Sequence, residues 1–422
     1  MTAPRAEPNE GAAAPRAGGA TGERKILVVL PYSPRDDAPH GGRPFVPLLR
    51  ALATRHRLAF LHLRHADEEP PDEELQRRCV FVQSTTIAER SRGRPGHALR
   101  RARALASGRP LQVDDYWSDE FAQLLRGVAE RWRPDVIQLE PEALAAYLPI
   151  VSGAPGRRML VLHEAAARGA DEIWRASAGV ERLVRFADWT AWRRFERRAA
   201  GLADAVVVLT ERDAEGVRDL ARGSPIHTVP LTVSLPPEPL NPLGNSRSVV
   251  FIGGFGHPPN VDAALALGRR IFPRIRARRP DSVLYLVGRE PPPEIRALQG
   301  EGVVVAADVP DTTVYLDSAA VVVAPIRIGG GMRGKVLEAL AAGKALVATA
   351  RAVEGLPVVA GEQVLLATSD DEFADAVVRL LEDPDERRQL ATAAHEWARS
   401  HFDYGAMVAA YERVYDELLD SP

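Results

Sequence analysis

Short runs of aliphatic and β-branched residues recur along the chain with helix-period segments between them. This alternation limits the possible folds more than any other feature. The runs are KILVVLPY (25–32), RLAFLHL (57–63), PDVIQLE (134–140), RMLVLHE (158–164) and ADAVVVLT (203–210). Each is a short apolar run bounded by turn residues, the pattern of a strand covered on both faces. Strands alternating with helices imply βαβ units and parallel sheets.

VPLTVSLPPEPLNPLGNSRS (229–248) interrupts this rhythm with five prolines and no helical period, and reads as an interdomain linker. The alternation then restarts with SVVFIGG, SVLYLVG, VVVAA, AAVVVAPI and ALVAT, and the chain ends in helical material. The expected layout is a tail over 1–24, a Rossmann-like domain over 25–230 and a linker over 231–246. A second Rossmann-like domain follows over 247–395, then a C-terminal helix over 396–422. A chain of 422 residues is long enough for two such cores. In open parallel sheets ligands bind beyond the carboxyl ends of the strands, so two sheets place the expected site in the cleft between them.

Composition narrows the chemistry. A net charge of −3 gives no general attraction to nucleic acid. A single cysteine, Cys79, excludes an internal disulfide framework and points to a reducing compartment. No apolar run reaches the ~20 residues that span a bilayer, and the first 23 residues lack a secretory signal's apolar stretch. A cytoplasmic protein is expected.

VVVAPIRIGGGMRGKVLEALAAGKALVAT (321–349) carries the most chemistry. A strand leads through Gly329, Gly330 and Gly331 into a helix bearing Arg333, Lys335 and Glu338. Glycines let backbone N–H groups approach a ligand, and a helix N-terminus adds partial positive charge. Cations in a first helical turn oppose the macrodipole unless an anion joins them, so the combination points to bound phosphate. Neither the Walker A spacing nor the dinucleotide fingerprint is present. Glu338, one turn further, is suited to accept hydrogen bonds from a vicinal diol such as a ribose. The competing reading is a plain turn, with Glu338 paired to a neighbouring arginine.

These residues, with FIGGFGHPPNVDAAL, LYLVGREPPPEIRAL, ARAVEGL and ILVVLPYSPRDDAPHGGRPFVPLLRALA, resemble the retaining nucleotide-sugar glycosyltransferases of family 4. The resemblance covers nearly everything from Lys25 onward and is more specific in the second half. It implies the GT-B architecture: two Rossmann-like domains facing a central cleft, with C-terminal helices packing back toward the first. It also implies a nucleotide-sugar donor, UDP- or GDP-linked, and a glycan, lipid-linked or small-molecule acceptor, with no metal required. Arg333 and Lys335 would contact the donor phosphates, Glu338 the ribose, and Gly329, Gly330, Gly331 and Gly254 the donor through backbone. Asp308 and Val309 would line the base, and Gly41 and Gly42 would form a diphosphate or acceptor loop. His163, after its strand, would hydrogen-bond a sugar hydroxyl and act in catalysis.

The chain departs from the family in two places. The family's first carboxylate in the Gly-rich loop falls at Gly330, which leaves the sugar's identity open. The loop GGFGHPPN lacks the basic residues many relatives place there. Glu140 and Glu142 read as acceptor contacts or as a solvated strand-exit pair. Glu196 reads as a structural salt-bridge partner, and Glu354 as a donor or acceptor contact or an exposed loop acid. The Arg-rich stretch at 90–110 reads as a solvated helix or a peripheral membrane contact. Two further readings stay open: a sugar-nucleotide 2-epimerase on the same fold, and a non-catalytic binding subunit.

Overall fold

The structure, a computed structural model, describes residues 23–35, 45–65, 68–87, 109–221, 223–233, 235–236, 238–329, 334–402 and 404–421. The first lobe is a seven-stranded sheet in the order β3-β2-β1-β4-β5-β6-β7. Its strands are β1 (Lys25–Leu30), β2 (Arg57–His65), β3 (Val82–Ile87), β4 (Val136–Leu139), β5 (Arg157–Leu162), β6 (Ala205–Val208) and β7 (Ile226–Thr228). Every pairing in it is parallel. β1, β4 and β6 are almost wholly buried because helices cover both faces, which explains their continuous apolar sequence.

The second lobe is a six-stranded parallel sheet in the order β10-β9-β8-β11-β12-β13. It comprises β8 (Asn245–Ile252), β9 (Val283–Gly288), β10 (Val303–Ala307), β11 (Ala319–Ala324), β12 (Leu346–Ala348) and β13 (Leu365–Leu366). The strand order reverses between β1 and β4 in one sheet and between β8 and β11 in the other. Such reversals open a crevice at the strand carboxyl ends, because successive crossover helices pass to opposite faces there.

The chain ends by returning to its start. Met407, Val408, Tyr411, Val414, Tyr415 and Leu418 of the Tyr404–Asp420 helix share a core with β1 and β2. The segment between the sheets is anchored on the second lobe. Buried Lys344 donates from Nζ to the carbonyls of Asn241 and Asp317, and Leu240 N–H donates to Ala342.

Candidate active site

At the β8/β11 reversal, β8 runs into Gly253 and Gly254 and then into the Pro258–Ala266 helix. Asn260, in that helix's first turn, donates from Nδ2 to the Gly254 carbonyl at 2.7 Å. Its Oδ1 accepts a hydrogen bond from Lys335 Nζ, on the first turn of the Gly334–Ala341 helix. The ammonium also lies 5.5 Å from the centre of the Phe251 ring. Two helix N-termini and one lysine therefore converge on a glycine loop. A Cβ on Gly253 would lie 3.0 Å from Asn260 Cγ and 3.1 Å from Lys335 Nζ, tighter than ordinary contact, so the glycine leaves room for this pair without a shift. Gly288, ending β9, is likewise pressed against the Gly253 carbonyl, 2.0 Å from where its Cβ would stand. Glu338 is half-buried one turn beyond Lys335, on the same side of the helix.

At the β1/β4 reversal the first lobe presents His163, the residue after β5. Its Nε2 lies 2.8 Å from Glu140 Oε1, and its backbone N–H donates to Glu142 at 3.2 Å. The ring stacks on Phe45, centroids 4.9 Å apart and planes within 7°. Phe45 opens the helix that follows the 41–42 glycines, so that loop's helix abuts His163. Both glutamates are buried, at 1% and 5% exposure, and are not a solvated pair. Gln138 donates to Glu140 Oε2 at 2.9 Å and accepts from Tyr415 OH at 2.7 Å. The last helix thus closes a four-residue chain, Tyr415–Gln138–Glu140–His163. Burial alone would lower the imidazole's pKa. The Glu140 hydrogen bond and the charges of Glu140, Glu142 and Glu164 outweigh it and hold the pKa above its ordinary value. Burial raises Glu142, with His163 opposing.

The two lobes meet in an ionic clasp that the sequence did not foretell. Glu172, on the Ala166–Ala176 helix, accepts from Gly329 N–H at 2.9 Å through Oε2. Its Oε1 accepts from Arg351 at 2.8 Å and from Arg212. Arg212 also reaches the Gly329 carbonyl at 3.4 Å and Glu354 at 2.9 Å, and Glu354 pairs with Arg351 at 2.9 Å. Gly355 approaches closely here: its φ is +85°, and a Cβ would stand 2.8 Å from Thr210 Cγ2 of the first lobe. Glu354, left between a donor or acceptor contact and an exposed acid, is a clasp residue.

The remaining expected residues divide. Asp308, after β10, has φ +53° and accepts from Glu290 N–H at 2.9 Å, while Glu290 has φ +52°. Two non-glycine residues in the left-handed region, tied to each other, fix the loop at the β9 and β10 ends. Val309 packs partly against the second core. Gly41, Gly42, Gly330, Gly331 and Arg333 lie outside the described residues, as does nearly all of the Arg-rich 90–110 stretch. Glu196 is buried at 3% exposure and makes no ion pair among the described residues. Its carboxyl lacks a partner in hydrogen-bond geometry, and the Ala167 and Ala166 amides only partly offset the effect of burial on its pKa. The salt-bridge expectation for Glu196 is therefore corrected, and burial pushes its pKa up to about 8. Among the described residues no group of three or more His, Cys, Asp or Glu side chains gathers to hold a metal ion, and no helix is long and apolar enough to cross a membrane. A surface concavity of about 520 Å³ lies far from this site, beside Asp135, Arg157, Arg158 and Asp204 at the amino ends of β4–β6. Arg158 there is already taken by Asp204, so we place no chemistry in it.

Comparisons with known proteins bear on the family and the fold. Residues 246–383 match the family described as Glycosyl transferases group 1. Sucrose-phosphate synthase from Thermosynechococcus elongatus superposes with a TM-score of 0.66 at 16% identity, covering 94% of this chain and 100% of that one. The α,α-trehalose-phosphate synthase (UDP-forming) from Burkholderia vietnamiensis gives 0.61 at 12% identity, over 93% and 100%. Anabaena Alr3699/HepE, in complex with UDP and glucose, gives 0.59 at 13% identity, over 93% and 100%. No curated protein sequence matches the chain. The described chain has the GT-B fold, and its second lobe matches the Glycosyl transferases group 1 family over residues 246–383; together these mark a glycosyltransferase.

Proposed function

We propose that the protein moves a sugar from a nucleoside diphosphate donor to a hydroxyl acceptor with retention of anomeric configuration. The observation that carries this reading is the Lys335 ammonium held by Asn260 over the Gly253–Gly254 loop, where two helix N-termini meet. A cation is unfavourable in a first helical turn without an anion to balance it, and a diphosphate supplies that anion. Arg333 and the amides of Gly330 and Gly331 extend this set by resemblance, and Glu338 takes the ribose hydroxyls. Asp308 and Val309 line the base. The structures of HepE with UDP and of the UDP-forming trehalose-phosphate synthase favour a uridine donor.

As the glycosidic bond breaks, positive charge grows on the sugar and negative charge on the departing phosphate oxygen. Lys335 and the loop amides stabilise the developing negative charge more than the ground state, which is the condition for raising rate. His163, oriented by Glu140, faces the sugar from the other lobe and hydrogen-bonds a hydroxyl. The acceptor attacks on the face the phosphate leaves, and that phosphate takes the acceptor proton. No resident metal or cofactor enters the scheme. The acceptor is a glycan, a lipid-linked sugar or a small molecule, and the setting is cytoplasmic.

A thermal-shift panel of UDP-, GDP-, ADP- and dTDP-sugars, followed by assays of donor consumption, tests the reading. The expected result is stabilisation by one nucleotide series, strongest for UDP, and release of that diphosphate. Donor binding with neither hydrolysis nor transfer would contradict catalysis.

A further inference from the structure

The helices Ala166–Ala176 and Gly179–Ala200 form a hairpin that stands off the first lobe. The first is buried near its start, at Ala166, Ala167, Gly169 and Ala170. The second is buried from Ala191 onward. Beyond Glu172, which the clasp holds, the hairpin is half-buried or exposed from Ile173 to Thr190, and its connecting tip is the most exposed part. Its end carries Val180, Leu183 and Phe186, exposed by 79%, 71% and 44%. Scattered exposed apolar residues are ordinary, but three at consecutive three-residue steps on one protruding tip are not.

Behind them lies an aromatic layer. Trp174 stacks on Trp189 with centroids 4.9 Å apart, and Phe186 meets Trp174 at 5.2 Å. Around that layer stand arginines: Arg175 and Arg182 sit 5.5 and 5.6 Å from Trp174, and Arg193 sits 5.2 Å from Trp189. From Trp174 to Arg194 there are five arginines and two acids, a net +3 on a chain whose total is −3.

We propose that this tip docks the protein on an anionic lipid bilayer. Val180, Leu183 and Phe186 would enter the headgroup–acyl boundary, the tryptophans would sit at interface depth, and the arginines would meet lipid phosphates. Apolar, aromatic and basic groups are interleaved at one tip, the combination that meets both the acyl boundary and the phosphates of a membrane surface. A second copy of the chain is a poorer occupant, since two +3 tips repel. Glu181 at the tip opposes binding, but it is paired with Arg185 at 3.1 Å.

Co-sedimentation with vesicles tests this, using phosphatidylcholine alone and phosphatidylcholine mixed with phosphatidylglycerol. Wild type is expected to bind the mixed vesicles, more weakly as salt rises, and to leave neutral vesicles largely unbound. Val180→Ser/Leu183→Ser alters only highly exposed positions and should keep its melting temperature while losing about tenfold in affinity. Arg182→Gln/Arg193→Gln should lose roughly fivefold for each charge removed. Equal binding to neutral and anionic vesicles, no vesicle binding at all, or unchanged binding by both variants would overturn the proposal. A dimer in sedimentation velocity that Val180→Ser/Leu183→Ser abolishes, with no vesicle binding, would overturn it in favour of self-association.

Discussion

The carboxylate of Glu172 on the first lobe accepts a hydrogen bond from the backbone N–H of Gly329 on the second, 2.9 Å away and 157 residues along the chain. The lobes are thus joined at the first glycine of the proposed donor loop. Because Arg212 and Arg351 share the same carboxylate, lobe closure and loop position are one electrostatic unit.

That unit should behave as a coupled pair. Glu172 and Arg212 are mostly shielded, with side chains 19% and 9% exposed, so their interaction exceeds that of a surface pair. Glu172→Ala and Arg212→Ala, singly and together, should give a coupling energy of about 1–2 kcal/mol in denaturant unfolding. Additive losses would mean that the clasp holds nothing.

Lys335→Ala should leave folding intact and lower turnover by roughly a hundredfold, the usual effect of losing one donor aimed at a leaving oxyanion. Asn260→Ala should lower turnover less, since it frees the ammonium without deleting it. Glu338→Ala should mainly raise the donor KM, since ribose contacts are made equally in the ground and transition states. Steady-state kinetics with varied donor separates these outcomes.

Parts of this were legible in the sequence, and the legible parts share a cause. Runs such as KILVVL and AVVV are buried on both faces, so composition alone reveals them. β3, VQSTTI, and β7, IHT, lie at sheet edges where polar residues are tolerated, and neither stood out. Gly329 and Lys335 could be singled out because they stand in one contiguous strand–loop–helix segment. The clasp was not, because Glu172 finds Arg351 across 179 residues and looks like any acid on a helix. Glu140 and Glu142 looked solvated because the last helix that covers their neighbourhood arrives from more than 260 residues away.

The pH dependence of activity should report the Glu140–His163 pair. Glu140 is a main cause of the raised imidazole pKa, so the charged ring persists to higher pH than a free histidine. The pair's contribution to stability is full below the ordinary value of about 6.5 and fades as pH rises through the folded value. Glu140→Gln keeps a hydrogen-bonding atom but removes the charge. It should move the histidine-dependent limb of kcat to lower pH, while His163→Ala should abolish that limb.

Glu196 gives a second stability test, with a slope of the same sign. Its folded pKa is about 8 against an ordinary 4.5, so between those values the native state binds a proton that the unfolded state has lost. Stability should therefore fall as pH rises from 4.5 to 8, by up to about 4–5 kcal/mol from this group. Glu196→Gln should melt several degrees higher than wild type at pH 8 and close to it at pH 5. An equal difference at both values would show that the carboxyl is ionised in the fold.

The most direct test is a crystal structure with a nucleoside diphosphate bound. The diphosphate is expected within hydrogen-bond reach of Lys335 Nζ and the Gly253–Gly254 loop, with the ribose against Glu338. A diphosphate seated anywhere else, with Lys335 still held on Asn260 and no anion beside it, would contradict the assignment on which the proposed reaction rests.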